Sequence, residues 1–237
     1  MSSVYMLTLR QLSGRWRLVI MTVLASLPVF VAITAVRSMQ APSVEEFELI
    51  VFSGMLAGSI SPLVVLAVAS TAFANEIEDR TLANLTLSPI PRLQIVVPKL
   101  LAAISVAGPF IIISAFLSTY IAFAGDLTAT FAVTVSAFVG VWLYAAVFVW
   151  AGLMTTRAIG FGLFYIVLWE GYFSGFVSGV RFLSIRYHSI ALMHGLDARR
   201  FAGEDNLSFG FAIGASVVVV AGFVLLSIRR LRRMDVP

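Results

Sequence analysis

The stretch Asn75-Glu-Ile-Glu-Asp-Arg-Thr-Leu-Ala-Asn-Leu-Thr-Leu-Ser-Pro-Ile-Pro-Arg92 is a charged island between two long apolar runs. Residues 49–74 carry no charged side chain, and beyond Lys99 none occurs until Asp126. Each run exceeds the roughly 20 apolar residues that a helix needs to cross a bilayer core. A short polar segment held between two such helices is a device for receiving force from a soluble partner.

Composition places the rest of the chain in the same setting. Of its 237 residues, 60% are hydrophobic and only 12% are charged, against about 25% charged in soluble domains; mean hydropathy is +0.99. A water-soluble fold is excluded on these grounds. The absence of cysteine removes disulfides and thiolate metal sites. The net charge of +4 comes from fifteen arginines and the single Lys99, clustered beside apolar runs, so it reads as membrane orientation and not as nucleic-acid binding.

The expected fold is an all-α membrane protein forming one domain. Six spans are predicted, at residues 18–36, 49–74, 100–125, 127–156, 158–180 and 208–228. The first is read as a retained span, because its 19 apolar residues exceed the 7–15 or so of a leader's apolar core and no small-x-small site follows. Residues 1–17 are expected to form an amphipathic helix in the interface, with Tyr5, Leu9, Leu12 and Trp16 on one face. With both termini inside, inner segments hold eleven basic residues and outer segments five, which sets both termini in the cytoplasm. Tight turns at Gly125-Asp126-Leu127 and at Thr155-Thr156-Arg157 predict antiparallel packing of spans three, four and five. The mixed segment 181–207 is expected to dip into the outer leaflet.

Within the island, Glu76 and Arg80 stand at i,i+4, and Leu82 and Leu85, with Ile77, give a short apolar stripe. Ser88-Pro89-Ile90-Pro91 ends any helix, because proline lacks an N–H and restricts the residue before it. The expected result is a helix of two or three turns, a hard stop and a basic return through Arg92 to Lys99.

The order Glu78, Arg80-Thr81-Leu82, Leu85, Ser88-Pro89, Arg92 and Lys99 resembles the segment between the second and third spans of ABC-2-type transporter permeases. Arg80 stands where many members carry glycine. The fold of that family looks like that of the ABCG-type exporters, and its segment is a coupling helix seated on an ATPase subunit. The resemblance extends to the amphipathic start, the six spans and an outer re-entrant segment between spans five and six. It implies that Glu76, Glu78, Arg80, Thr81, Leu82, Leu85, Ser88, Pro89 and Arg92 meet the ATPase. It also implies two ATPase copies, a second copy of this permease or a similar one, and the inner or plasma membrane of a prokaryotic cell. The chain itself has no P-loop, which requires G-x-x-x-x-G-K-[ST]; its one lysine follows Pro98. No cofactor is therefore expected in this chain, and ATP and magnesium would be held by the partner ATPase.

Two further features stand inside predicted spans. Glu170 is a lone acid in span five, where a carboxylate costs roughly 2.5–3.5 kcal/mol to insert. It is a candidate for the transport path or gate, or a structural acid paired with Arg181, Arg186 or hydroxyl groups. Gly171, Gly175 and Gly179 repeat every four residues, and Gly54 and Gly58 do the same in span two; such spacing permits close helix contact. His188 and His194 are six apart and do not share a helix face, so a metal pair is not expected. The predicted function is an exporter permease, with a non-transporting scaffold or a membrane-embedded enzyme as alternatives. Cysteines introduced singly at positions 84 and 235 should react only with reagents that reach the cytoplasm, and those at 43 and 204 only from outside. An outside label at position 84 overturns the orientation.

Overall fold

The computed structural model describes residues 2–38, 42–78, 91–155, 157–173, 178–201 and 207–233. Helix α1 is Ser2–Leu12 and α2 is Arg15–Arg37. The rod Val44–Ala74 is α3, followed by α4 at Leu93–Ala122 and α5 at Leu127–Met154. Helix α6 is Ala158–Phe173, α7 is Ile185–Leu196 and α8 is Phe209–Arg233. Five of these are long and apolar enough to cross a membrane: α2, α3, α4, α5 and α8. Helix α6 is a shorter apolar helix, so the chain is an all-α membrane protein.

Helix α5 is the centre of the bundle, packed against α3, α4, α7 and α8. Tyr144 and Phe148 of α5 are fully buried with Phe52 and Leu56 of α3, and the Tyr144 hydroxyl donates to the Ala57 carbonyl at 3.1 Å. Helices α2 and α8 are the least covered spans. Their outward faces, with Phe30 and Leu27 on one and Val217 and Val218 on the other, suit a hydrocarbon surround.

The turn between α4 and α5 is tight for a local reason. Ala124 and Gly125 adopt left-handed backbone, and the Gly125 N–H donates back to Tyr120 at 2.9 Å. The Asp126 carboxylate then accepts from the first-turn N–H groups of Thr128 and Ala129, at 2.9 and 3.3 Å, capping α5. The two helices are thereby forced antiparallel, as the short connection predicts.

At two places the structure departs from the sequence pattern. Leu12 is fully buried and Tyr5 donates to Ser105 of α4 at 2.9 Å, but Trp16 is 81% exposed. The predicted stripe is cut because Gly14 takes extended backbone between α1 and α2, and α1 packs on α4 as part of the bundle. The expected fifth span, 158–180, does not stay α-helical to its end. After Phe173 the next described residues form a 3₁₀ turn, Ser178–Leu183, which leads into α7.

The first part of α3 (Phe47–Ile60) and the end of α6 (Tyr165–Phe173) are wound as π-helix, and these two stretches pack on each other.

Among the described residues, close helix approach also uses glycines outside those repeats. Gly152 of α5 lies against the Ser70 carbonyl, Gly162 of α6 against Leu66, and Gly195 of α7 against the Phe209 ring. A Cβ on Gly140 would stand 2.9 Å from the Ser189 hydroxyl. Gly54 and Gly171 meet only their own helices within this chain, Gly58 lies against Arg186, Gly179 sits in the 3₁₀ turn, and Gly175 is outside the described residues. Since Gly152 faces backbone that cannot rotate away, Gly152→Leu should destabilise the protein by more than about 2 kcal/mol. Gly160→Leu, on an open face of α6, should change stability by less than about 0.5 kcal/mol. Denaturant unfolding of both variants in micelles checks this.

Candidate functional site

Two polar clusters interrupt the apolar bundle. The first lies where the charged island meets the spans. Lys99, in the second turn of α4, is fully buried. Its Nζ lies 2.6 Å from Glu76 Oε1, also donates to the Ala72 carbonyl, and stands 4.6 Å from the centroid of the Phe73 ring. Glu76 belongs to Thr71–Glu78, the helical stretch that overlaps the end of α3 and carries it into the island, so this pair ties the foot of α3 to the start of α4. Arg17 adds a bond to Thr71 at 3.2 Å. Glu76, expected on a docking face, is turned into the bundle instead, because the buried ammonium of Lys99 needs a counter-charge.

Glu78 ends that helix by its backbone. Arg80, Thr81, Leu82, Leu85, Ser88 and Pro89 lie outside the described residues. Arg92 caps α4 and shares a groove with Leu93, Leu225, Ile228, Arg229 and Arg232, which brings the start of α4 beside the basic end of α8.

The second cluster is built on Glu170, whose side chain is fully buried. Its carboxylate accepts from the Tyr165 hydroxyl at 3.0 Å, the Ser184 hydroxyl at 2.5 Å and the Ile185 backbone N–H at 3.0 Å. Ile185 is the first residue of α7. A helix start leaves four N–H groups without intrahelical partners, and the positive end of the helix favours an anion there. Arg186 closes the cluster: it donates to the Glu170 backbone carbonyl at 3.3 Å and, through Nε and an Nη, to the Ser53 hydroxyl of α3 at 2.9 and 2.7 Å. Of the partners considered for Glu170, hydroxyl groups meet its carboxylate, and Arg186 donates to the backbone carbonyl of residue 170.

Helix α7 runs from this cluster toward the far end of the bundle. There His194 Nε2 lies 2.7 Å from Glu48 Oε1, Arg200 pairs with Asp126 at 2.9 Å, and the His194 and Phe201 rings stack. Phe201 in turn packs edge-on against Phe123. Helix α7 thus joins the buried Glu170 cluster to this far end.

Residues 8–182 match the family model described as an ABC-2 family transporter protein. The chain belongs to the ABC-2 transporter family. No curated protein matches it. The match takes in the island and helices α2 to α6 of this ABC-2 permease, and it stops just short of Ser184 and Ile185, the two groups at the start of α7 that Glu170 binds. Permeases of this family are transport membrane subunits and are not themselves catalytic.

Sequence reasoning marked Lys99, and offered Arg181, Arg186 or hydroxyl groups as partners of Glu170, but did not single out Ser53, Ser184, Glu48 or Tyr165. Only the Ser at the position before α7, a favoured N-cap residue, carried a local signal. Glu170→Leu leaves three donors unsatisfied and should lower stability by about 3–5 kcal/mol, whereas Glu170→Gln keeps an acceptor and should cost about 1–2 kcal/mol. Urea unfolding of the two purified variants in micelles distinguishes the two; equal losses would remove the helix-start role.

Proposed function

We propose that this permease is the membrane-spanning subunit of an ATP-driven exporter, powered by a separate ATPase that docks on the 76–92 segment. The observation that carries the reading is the buried Lys99–Glu76 pair. A force applied to the intervening island is delivered to α3 and α4 together, because both of its roots are clamped to each other. In this reading Leu82 and Leu85 form the docking stripe, with Glu78, Arg80, Thr81, Ser88, Pro89 and Arg92 around it. Glu76 transmits the force and does not touch the partner.

Two copies of the chain, or this chain and a similar one, pair with two ATPase subunits that hold ATP and magnesium. ATP binding draws the islands together, and the spans change from inward- to outward-open. The substrate path runs between the copies along α3 and α6. Helix α6 supports this by presenting Phe161, Phe164, Val167 and Tyr172 on an exposed face of the single chain. Glu170 is a positioning residue that holds α7 beside that path. The island, the N-terminus and the basic end of α8 face the cytoplasm of a prokaryotic cell.

Leu82→Asp or Leu85→Asp should abolish substrate-stimulated ATP hydrolysis in vesicles holding the permease and its ATPase, with unfolding of the membrane domain unchanged. Unaltered partner binding and transport in both variants would overturn the assignment. Partner binding without any transported substrate would favour a scaffold subunit.

A further inference from the structure

Helix α8 is one of the least covered spans of the bundle, and its last turns meet the start of α4 in a groove of about 530 Å³. Leu225, Ile228, Arg229 and Arg232 of α8 line one side; at i, i+3, i+4 and i+7 they share a single helix face. Arg92 and Leu93 line the other side. Residues 208–228 carry no charged side chain, about the length that crosses a bilayer core. Arg229 and Arg232 therefore stand at headgroup depth, with Leu225 and Ile228 on their hydrocarbon side. Leu93 and Leu225 are both exposed on the single chain, so the groove opens outward to lipid.

Arginines that merely orient α8 in the membrane would need no partner from another helix. Here the fold brings a third guanidinium group, that of Arg92, from the start of α4 to the same groove. Among the described residues, neither Arg229 nor Arg232 has an ion-pair partner, and none of those lining the groove is acidic. A guanidinium group is a planar fork of N–H donors that matches phosphate oxygens, and basic pockets between membrane helices suit lipid headgroups. A soluble phosphate would meet the arginines alone, whereas a phospholipid also covers the apolar half of the groove. We propose that the groove binds an anionic phospholipid, with its phosphate against Arg92, Arg229 and Arg232 and an acyl chain along Leu93, Leu225 and Ile228. A zwitterionic lipid carries the same phosphate but brings an ammonium group among like charges, which repel it. The occupant ties the end of α8 to α4. In the proposed assembly Arg92 also edges the docking stripe, so the lipid sits next to the ATPase; binding itself needs the membrane domain alone.

The test is native mass spectrometry of the purified permease in detergent, without ATPase, titrated with phosphatidylglycerol or phosphatidylcholine of identical acyl chains. Phosphatidylglycerol should bind saturably and about tenfold more tightly than phosphatidylcholine. Arg229→Gln combined with Arg232→Gln should weaken phosphatidylglycerol about tenfold and bring the two lipids to near parity. Arg10→Gln combined with Arg15→Gln, which removes the same charge outside the groove, should leave both affinities unchanged. Excess inorganic phosphate should not displace the lipid. Equal losses in the two double variants show a general basic surface and overturn the site, and displacement by phosphate overturns the lipid in favour of a soluble anion. Equal affinities of the two lipids in the parent protein also overturn the proposal; if the Arg229→Gln, Arg232→Gln variant then binds the ATPase more weakly, the arginines belong to the ATPase contact instead.

Discussion

A helix that begins inside an apolar bundle must find acceptors for its first N–H groups, since neither lipid nor a packed core supplies any. In this protein the carboxylate of Glu170 meets that need for α7, taking the Ile185 N–H and the Ser184 hydroxyl together. The consequence reaches beyond one hydrogen bond. Because residues 170 and 185 must touch, the chain between α6 and α7 has to return to the same place in the bundle. Arg186 then joins the same cluster to Ser53, so α3, α6 and α7 are fixed to one another at a single depth. Both π-helical stretches meet at this cluster. Such winding is rare and is found frequently at functional sites.

The opposite end depends on a second buried charge. Lys99 could not stand in the bundle alone; Glu76 and the Ala72 carbonyl make its burial tolerable. The two polar anchors act at different levels of the same rod. Helix α3 is tied to α4 through Glu76, to α7 through Ser53, and again to α7 through Glu48 and His194. In the proposed cycle a displacement of the island therefore reaches the re-entrant helix along a continuous helical element, with no flexible joint required between them.

Apolar packing supports these anchors without specifying them. In a hydrocarbon surround, burying a leucine against another helix gains little over leaving it in lipid, so close association falls to small residues and polar contacts. Gly140, Gly152, Gly162 and Gly195 provide the first, lying against the Ser189 hydroxyl, the Ser70 backbone, the Leu66 side chain and the Phe209 ring. The evenly spaced glycines at 54, 58, 171, 175 and 179 drew attention by their period. A period states which residues share a face, but not which face meets a partner. Gly171 is exposed on the single chain, while Gly152, with no partner in any repeat, lies against the Ser70 carbonyl.

Composition and the lengths of the uncharged runs were enough to determine an all-α membrane protein, the order of its spans, the tight turn at Asp126 and the polar island before α4. These are local properties: a run of 26 apolar residues or an Asp before a helix acts through its immediate neighbours. The tertiary structure decided the rest. It gave Glu76 the buried Lys99 as a partner, broke the α1 stripe at Gly14 before Trp16, and gave Glu170 a helix start to bind. The two polar anchors rest on buried groups finding partners between 14 and 133 residues away along the chain. Hydropathy counts how much surface avoids water, whereas the satisfaction of a buried charge depends on which two groups the fold brings within 3 Å.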